Sequence, residues 1–275
     1  MSTPRCEVWR SHTAVEHGID NGCYWSANHE LMFLGLWIDE SQHPDFNTAV
    51  FESYATLLQT LQQRDYPHLL RVWNYLPRIN HGENDNERYK QFCFGRHEAF
   101  SHYQQHPYPA ASAVGNSSGD SVIYLIASRQ STPQHFENPG QLSAFRYPRE
   151  YGPKSPSFAR ASILQGSHGK QLYISGTASI LGHQSRHPGN SRDQMALTCE
   201  NITTLLQHIT SQLQLAITPN LELIKVYLRN PQDLDMASAA IKNYFGSNLS
   251  VLFLQGDICR QELLLEIDGM CQIPS

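Results

Sequence analysis

The chain has 275 residues, enough for one large domain or two modest ones, and its 20 basic and 25 acidic side chains give a net charge of −5. Because no basic run or stripe occurs, nucleic acids and anionic membranes are poor candidate partners. No apolar stretch reaches the roughly 18 residues that a membrane span needs, and the N-terminus lacks the apolar core of a signal peptide. The composition therefore predicts a globular cytoplasmic protein.

The first half of the chain alternates segments with the pattern of strands and of helices. The predicted elements are, in order, strand Leu31–Ile38, helix Phe46–Gln63, strand Leu69–Tyr75, helix Glu87–Gln104 and strand Val122–Ala127. The first helix is the clearest, since its apolar residues recur every three to four positions and Asp45 precedes it as a candidate N-cap. This half is therefore predicted to mix helices with a sheet.

The second half repeats this order. Its predicted elements are strand Leu172–Ile180, helix Arg192–Leu213, strand Leu221–Leu228, helix Leu234–Tyr244 and strands Leu249–Leu254 and Leu263–Ile267. Residues match as well, because L-L-R-V-W at 69–73 resembles L-I-K-V-Y at 223–227. Chance similarity is the alternative, but agreement in order and spacing favours a duplication. We therefore predict an α+β fold of two β-α-β-α-β halves, residues 1–130 and residues 131–275.

A proline-rich segment, Tyr147–Ala161, follows the junction of the two halves and is called the crossover below. Its three prolines remove backbone donors and fix φ, so the segment is neither a helix nor a central strand. A stiff loop that presents tyrosine, serine, lysine and arginine side chains suits a small molecule with carboxylates. A surface turn stiffened by proline is the alternative.

Glu266 is the strongest single candidate for chemistry. It follows Leu263–Leu265 and precedes Ile267, so its carboxyl group is expected to be partly desolvated, with a raised pKa. A neutral carboxylic acid in a dry pocket can act as a general acid; the alternative is a position on the solvent face of an edge strand. Cys259 could line the same cavity, although a lone cysteine is usually a small buried apolar residue. Arg260 could bind a carboxylate or pair with a neighbouring acid.

Metal and nucleotide sites are not predicted. The six cysteines form no C-x-x-C pair, which argues against zinc and indicates free thiols. His183 and His187 are four residues apart, but the surrounding glycines and proline place them in a loop, and no H-E-x-x-H motif occurs. No Walker loop, dinucleotide fingerprint or G-x-S-x-G motif is present. Gly176, in S-G-T-A-S, is expected at a strand end where a ligand can approach closely.

Five ordered motifs resemble the chorismatase family. They are R-V-W-N-Y-L-P-R-I-N (71–80), E-R-Y-K-Q-F-C-F-G-R (87–96), the crossover, S-G-T-A-S-I-L-G-H-Q-S-R-H (175–187) and D-I-C-R-Q-E-L-L-L-E-I-D-G (257–269). The resemblance runs from about residue 69 onward and is weaker before it, where the chain looks shortened for the family. It implies two YjgF-like (chorismate-mutase-like) halves. It also implies a cofactor-independent enzyme that releases pyruvate from the enolpyruvyl ether of chorismate, for pigment or secondary metabolism.

The resemblance also implies roles for individual residues. Glu266 matches the family's catalytic glutamate, which would protonate the terminal methylene and leave an oxocarbenium ion for water or the ring hydroxyl to attack. Cys259 matches a position that helps set the product, and a cysteine there resembles the branch that forms 3-hydroxybenzoate, alone or with 4-hydroxybenzoate. Chorismate carries two carboxylates, which need cationic or hydroxyl partners. The predicted substrate-binding residues are Arg78, Arg146, Tyr151, Lys154, Ser157, Arg160 and Gly176.

Two departures from the family pattern leave alternatives open. Lys154 stands where relatives more often carry arginine, and Leu197 stands where they tend to carry an acidic or amide residue. A non-catalytic metabolite-binding protein is one alternative. Imine or enamine hydrolysis is another, but it would need an arginine on the strand before the acid, where this chain has Ser250–Phe253. The sequence does not fix the product distribution, the pathway, or whether the protein is a monomer or a small homo-oligomer.

Overall fold

Two six-stranded sheets, each covered on one face by two helices, form the described part of the chain. The structure is a computed structural model that describes residues 7–116, 119–167 and 169–273. Among these residues, no helix is both long and apolar enough to cross a membrane.

The first sheet has the strand order β1-β2-β3-β6-β4-β5. Neighbouring strands are antiparallel except β4 and β5, which are parallel. The elements of this half are β1 (Glu16–Asp20), β2 (Cys23–Ala27), β3 (Leu31–Ile38), α1 (Phe46–Gln63), β4 (His68–Tyr75), α2 (Arg88–His102), β5 (Ala110–Val114) and β6 (Ser121–Ser128).

The second sheet has the strand order β7-β8-β9-β14-β12-β13, and β12 and β13 are its parallel pair. Its elements are β7 (Gln134–Phe136), β8 (Ala161–Gly166), β9 (Gly169–Thr177), α3 (Ser191–Gln212), β12 (Leu223–Leu228), α4 (Leu234–Phe245), β13 (Ser250–Gln255) and β14 (Leu265–Ile273). A two-stranded ribbon of β10 (Ile180–Leu181) and β11 (Gln184–Ser185) follows β9.

The two sheets have one topology, because each strand of the first has a counterpart at the same place in the second. This confirms the α+β class and the duplicated organisation predicted from the sequence. The matching pentapeptides at 69–73 and 223–227 lie in β4 and β12, which are equivalent strands. The division of the chain into domains at residue 130 stays a prediction.

The apolar periodicity of the helices accounts for their packing. In α1, which begins after Asp45 accepts a hydrogen bond from the backbone N–H of Thr48 (2.8 Å), residues Val50, Tyr54 and Leu57 are fully buried against the first sheet. The helices of each half enclose a separate apolar core on the outer face of their sheet. Burying such stripes is the main stabilising contribution to helices of this length.

The inner faces of the two sheets face each other. Trp73, Ile126 and Tyr173 belong to an apolar cluster between them. Strand β5 of the first half also lies against the second half, where the backbone N–H groups of Ala110 and Ala111 donate to hydroxyls of β8 and β9 at 2.7 and 2.9 Å. The two halves therefore share an interface with strand β5 at its edge.

Candidate active site

A cavity of about 330 Å³ lies between the halves. The first half contributes α2 and β5 to its wall, and the second half contributes the crossover, β9, the loop before β14, and β14 itself. The lining includes Tyr89, Phe92, Cys93, Arg96, Ala111, Ser112, Tyr147, Tyr151, Ser157, Phe158, Arg160, Gly176, Cys259, Arg260 and Glu266. A volume of this size suits a small organic ligand.

Glu266 is on β14, in the centre of the second sheet, and points to the inner face. The residue is 4% exposed, and its Oε1 atom has no hydrogen-bond partner among the described residues. The carboxyl group fits because Gly176 has no side chain: a Cβ atom there would lie 1.9 Å from Oε1. Gly176 therefore makes room for the acid itself, rather than only for a ligand.

The surroundings of Glu266 favour its protonated form. Burial raises the pKa of its carboxyl group to about 8, and the negative charge of Asp268 adds to the effect. The positive charges of Arg71 and Arg160 act in the opposite direction and lower the pKa. The result is a carboxylic acid that still carries its proton near neutral pH, as the sequence pattern predicted.

Cys259 lies beside this acid as a neutral thiol. Burial raises the pKa of Cys259 well above its ordinary value, and the negative charge of Glu266 raises it further. Burial also raises the pKa of Cys93 on the opposite wall to about 12. Neither thiol is a thiolate near pH 7, so both act as apolar wall rather than as nucleophiles.

Three arginines, Arg96, Arg160 and Arg260, belong to the lining of the cavity. Arg160 Nη2 donates hydrogen bonds to the Leu142 carbonyl and the Tyr147 hydroxyl, at 2.9 and 2.8 Å, while its Nε has no partner among the residues that the structure describes. Arg260 stacks on the Tyr151 ring at 3.9 Å, and no described residue is hydrogen-bonded to its Nη2.

Arg96, on α2, is buried with both Nε and Nη2 unpaired among the described residues. Its guanidinium lies over the rings of Tyr54 and Phe100. Buried guanidinium donors without partners indicate a site for an anion that the protein does not itself supply.

A single 3-10 turn, Ala144–Arg146, immediately precedes the crossover, and the crossover itself contains a second one, Arg149–Tyr151, followed by extended chain. Arg149 binds Asp85 through two hydrogen bonds of 2.9 and 2.6 Å, which attaches this segment to the first half. Of the predicted substrate-binding residues, Tyr151, Ser157 and Arg160 from this segment line the cavity.

Three predicted substrate-binding residues do not line the cavity. The Lys154 ammonium instead pairs with Glu98 on α2 at 3.1 Å, so it attaches the crossover to the first half. Arg146 ends a 3-10 turn with its guanidinium near the Phe145 ring. Arg78 lies in a turn with φ of 55°, outside the cavity wall. Composition of a loop does not determine which way its side chains point, and a substrate-binding role for these three residues stays a prediction.

Sequence reasoning missed two groups of the site. Arg96 was present in one of the motifs, and its spacing from Phe92 and Phe100 places it on the apolar side of α2, which is an available signal. Ser112 belongs to strand β5, which was not predicted.

Leu197 is half-buried outside the cavity, whereas the Gln194 amide of the same helix binds the loop before β14 through the Glu262 carbonyl and the Leu264 N–H.

No group of three or more His, Cys, Asp or Glu side chains within 7–116, 119–167 and 169–273 is placed to hold a metal ion. His183 lies at the turn of the β10–β11 ribbon, where its Nδ1 is 3.2 Å from the Tyr151 hydroxyl.

Comparisons with known proteins identify the family of this chain. A family model described as Chorismatase FkbO/Hyg5-like, N-terminal, matches residues 7–127. The chain is 32% identical to a 3-hydroxybenzoate synthase from Streptomyces hygroscopicus, over 97% of this chain and 81% of that protein. It is 34% identical to a chorismatase from Streptomyces hygroscopicus, over 96% of this chain and 78% of that protein. The similarity to this family therefore also covers residues before 69.

A solved structure shows the same fold. The crystal structure of a chorismatase at 1.08 Å resolution matches with a TM-score of 0.86 at 33% identity, covering 93% of this chain and 79% of that one.

Proposed function

This chain belongs to the chorismatase family, and on that premise we propose that it converts chorismate to pyruvate and a hydroxybenzoate, with Glu266 as the general acid. The observation that carries the proposal is a protonated, buried carboxyl group in the wall of a cavity that is also lined by three arginines, each with a buried nitrogen that has no partner among the described residues. An acid and cationic groups together match a substrate with an enolpyruvyl ether and two carboxylates.

The first step is proton transfer to carbon. The π electrons of the enolpyruvyl double bond form a new C–H bond with the proton of the Glu266 carboxyl group. The ether carbon becomes an oxocarbenium ion and Glu266 becomes a carboxylate. That carboxylate lies beside the cation it has created, so their attraction lowers the energy of the transition state.

The arginines are proposed to hold the two substrate carboxylates. Arg160 and Arg260 belong to the wall formed by the second half, and Arg96 belongs to the wall formed by the first. Their free N–H groups can each bind a carboxylate oxygen, and a dry cavity strengthens such pairs. Because the protein has already desolvated these guanidinium groups, substrate binding supplies the missing partners.

The product is proposed to be 3-hydroxybenzoate, alone or together with 4-hydroxybenzoate. Cys259 presents a neutral thiol next to Glu266, and a thiol hydrogen-bonds water weakly. A wall of this kind disfavours a bound hydrolytic water and so favours attack by the substrate's own hydroxyl. The 3-hydroxybenzoate synthase among the similar proteins supports this choice.

The proposal is tested by mass spectrometry of chorismate incubated with the protein. The parent should release pyruvate and a hydroxybenzoate, and Glu266→Gln should lower kcat by about 10²- to 10⁴-fold, the usual contribution of a general acid. Glu262→Gln, which changes an exposed carboxyl group at the cavity wall, should keep parental activity. Full activity of Glu266→Gln would rule out the proposed mechanism. A parent protein that binds chorismate without turning it over would indicate a non-catalytic metabolite-binding protein.

A further inference from the structure

A buried polar cluster joins the two halves directly behind Glu266. Asp268, two residues further along β14, accepts three hydrogen bonds on Oδ2: from Arg71 Nη2 at 3.0 Å, from Ser112 Oγ at 2.8 Å and from the Tyr227 hydroxyl at 3.2 Å. Arg71 and Ser112 belong to the first half, whereas Asp268 and Tyr227 belong to the second. All four residues are buried, and only Ser112 lines the cavity.

The hydrogen bonds fix the direction of the Ser112 hydroxyl. A serine oxygen has one proton and two lone pairs. The proton is donated to Asp268, and one lone pair accepts a hydrogen bond from Arg71. One lone pair remains for a donor in the cavity.

Ser112 and Glu266 approach the same point of the cavity wall. A Cβ atom built on Gly176 would lie 1.9 Å from Glu266 Oε1 and 3.3 Å from Ser112 Oγ. Both oxygens therefore lie against Gly176, which is itself part of the cavity wall.

Asp268 is the base of this cluster. Arg71 is always a cation and has no acceptor. Burial raises the pKa of Tyr227 well above its ordinary value, and the charge of Asp268 raises it further, so this phenol keeps its proton. The carboxylate is the remaining group that can take one.

We propose that Ser112 and Asp268 form a base relay that takes the proton from the ring hydroxyl of chorismate as this hydroxyl attacks the oxocarbenium ion. A lone pair of the ring oxygen forms the new C–O bond to the cationic carbon. The hydroxyl proton passes to Ser112 Oγ while the Ser112 proton passes to Asp268 Oδ2. The substrate becomes neutral, Glu266 remains a carboxylate and Asp268 becomes a carboxylic acid, so charge and protons balance.

The relay deepens the proposed function and rests on it. It assigns opposite tasks to two carboxyl groups on one strand, which face different surroundings. Glu266 has no hydrogen-bond partner on Oε1 and gives up a proton, whereas Asp268 has an arginine and two hydroxyl donors and receives one. Arg71 is a positioning residue, since it acts through Ser112 and Asp268.

The experiment compares kcat, KM and the ratio of products for Ser112→Ala and Asp268→Asn. Each variant should lower the rate of hydroxybenzoate formation by about 10²-fold, the lower end for loss of a general base. KM should stay within about threefold, and the share of dihydroxycyclohexadiene carboxylate should rise, because water attacks the cation when the ring hydroxyl is no longer deprotonated. Ser112→Thr keeps a hydroxyl and should restore part of the rate.

The chain contains a matched control. Ser121, fully buried in the first half, accepts a hydrogen bond from Arg88 at 3.0 Å and donates one to Glu40 at 2.9 Å, outside the cavity. Ser121→Ala breaks the same kind of arginine–serine–carboxylate cluster, yet it should leave the product ratio unchanged. A ratio that shifts equally in this control would show that the effect is merely structural.

The failures of the two proposals differ. A parent protein that leaves chorismate unchanged overturns the proposed function. If the parent turns chorismate over and Ser112→Ala has the same rate and product ratio as the parent, the relay alone is overturned. A parent that releases only the dihydroxycyclohexadiene carboxylate overturns the relay as well. If Asp268→Asn does not fold, since breaking a buried ion pair is strongly destabilising, the pair Ser112→Ala and Ser112→Thr still decides between these outcomes.

Discussion

Glu266 shows a conflict between stability and chemistry at a single residue. A carboxyl group that is 4% exposed with one oxygen unpaired lowers the stability of the fold, but the same burial keeps the proton in place. Such conflicts are expected at functional sites.

The raised pKa of Glu266 predicts the pH dependence of activity. The protonated form of Glu266 is the active one. Titration of this group should therefore leave kcat/KM for chorismate unchanged below pH 8. The value of kcat/KM should fall about tenfold per pH unit above a pKa of about 8. A profile that rises through this range would contradict the assignment of Glu266 as the acid.

The same shift predicts how Glu266→Gln changes stability. An ordinary glutamate has a pKa of about 4.5 in the unfolded chain, and the folded value is about 8. Between these values the folded parent binds a proton that the unfolded chain lacks, so this group makes the parent less stable as pH rises, by about 1.4 kcal/mol per unit. The free energy of unfolding of the variant minus that of the parent should therefore grow from pH 5 to pH 8 and level off above it. Urea titrations at several pH values measure this difference, and a constant difference would contradict the shift.

The role of an individual residue could be predicted where its neighbours in the sequence indicate that it is buried. Glu266 stands among leucines and isoleucine, and that alone indicates desolvation. Ser112 could not be found in this way, because its role depends on Asp268, 156 residues away in the chain. The direction of the Lys154 side chain could not be predicted, because a cation in a proline-rich loop can point either to a cavity or to a nearby glutamate, and the sequence does not distinguish them.

Among the elements, β5 shows most clearly why a strand can escape prediction from local sequence. Its sequence, A-A-S-A-V, has little of the β-branched and aromatic character that marks strands. It is a strand because β4 pairs with it on one side and hydroxyls of the second half accept its N–H groups on the other. Strands β1, β2, β7 and β8 were also not predicted, whereas the long periodic helix α1 was predicted at its observed bounds.

The contact between β5 and the second half can be tested at Ser175. Its hydroxyl accepts from the Ala111 N–H at 2.9 Å and donates to the Ala159 carbonyl. Ser175→Ala leaves a buried donor without a partner and should lower the free energy of unfolding by about 1–3 kcal/mol. Denaturant unfolding measures the change, and Ser101→Ala, at an exposed end of α2, should change it by less than about 0.5 kcal/mol. Equal effects of the two substitutions would contradict the role of this hydroxyl.

For the whole molecule, the duplication explains why the site needs both halves. Repeated order and spacing in the sequence were enough to predict two equivalent halves, but they could not show that the inner faces of the sheets meet. That arrangement depends on buried inter-half contacts such as Arg71 with Asp268, which no local pattern contains.

Separate expression of the halves tests this dependence. Residues 131–275 retain Glu266 but lose Arg96, Ser112 and Arg71, the ion-pair partner of Asp268. This fragment should therefore not turn over chorismate, and the fragment of residues 1–130, which lacks Glu266, should not either. Fragments of this kind expose charged and apolar inner faces and should unfold more readily than the intact chain. Pyruvate release by either fragment alone would contradict a site shared between the halves.

The position of the acid-bearing strand in the chain affects how the protein folds during its own synthesis. Strand β14 lies between β9 and β12, yet it leaves the ribosome after both of them. Until it emerges, the second sheet has a gap at its centre, and the nascent chain lacks its proton donor. Catalytic competence therefore arises together with closure of that gap, and a chain interrupted before residue 265 would be both incompletely folded and inert.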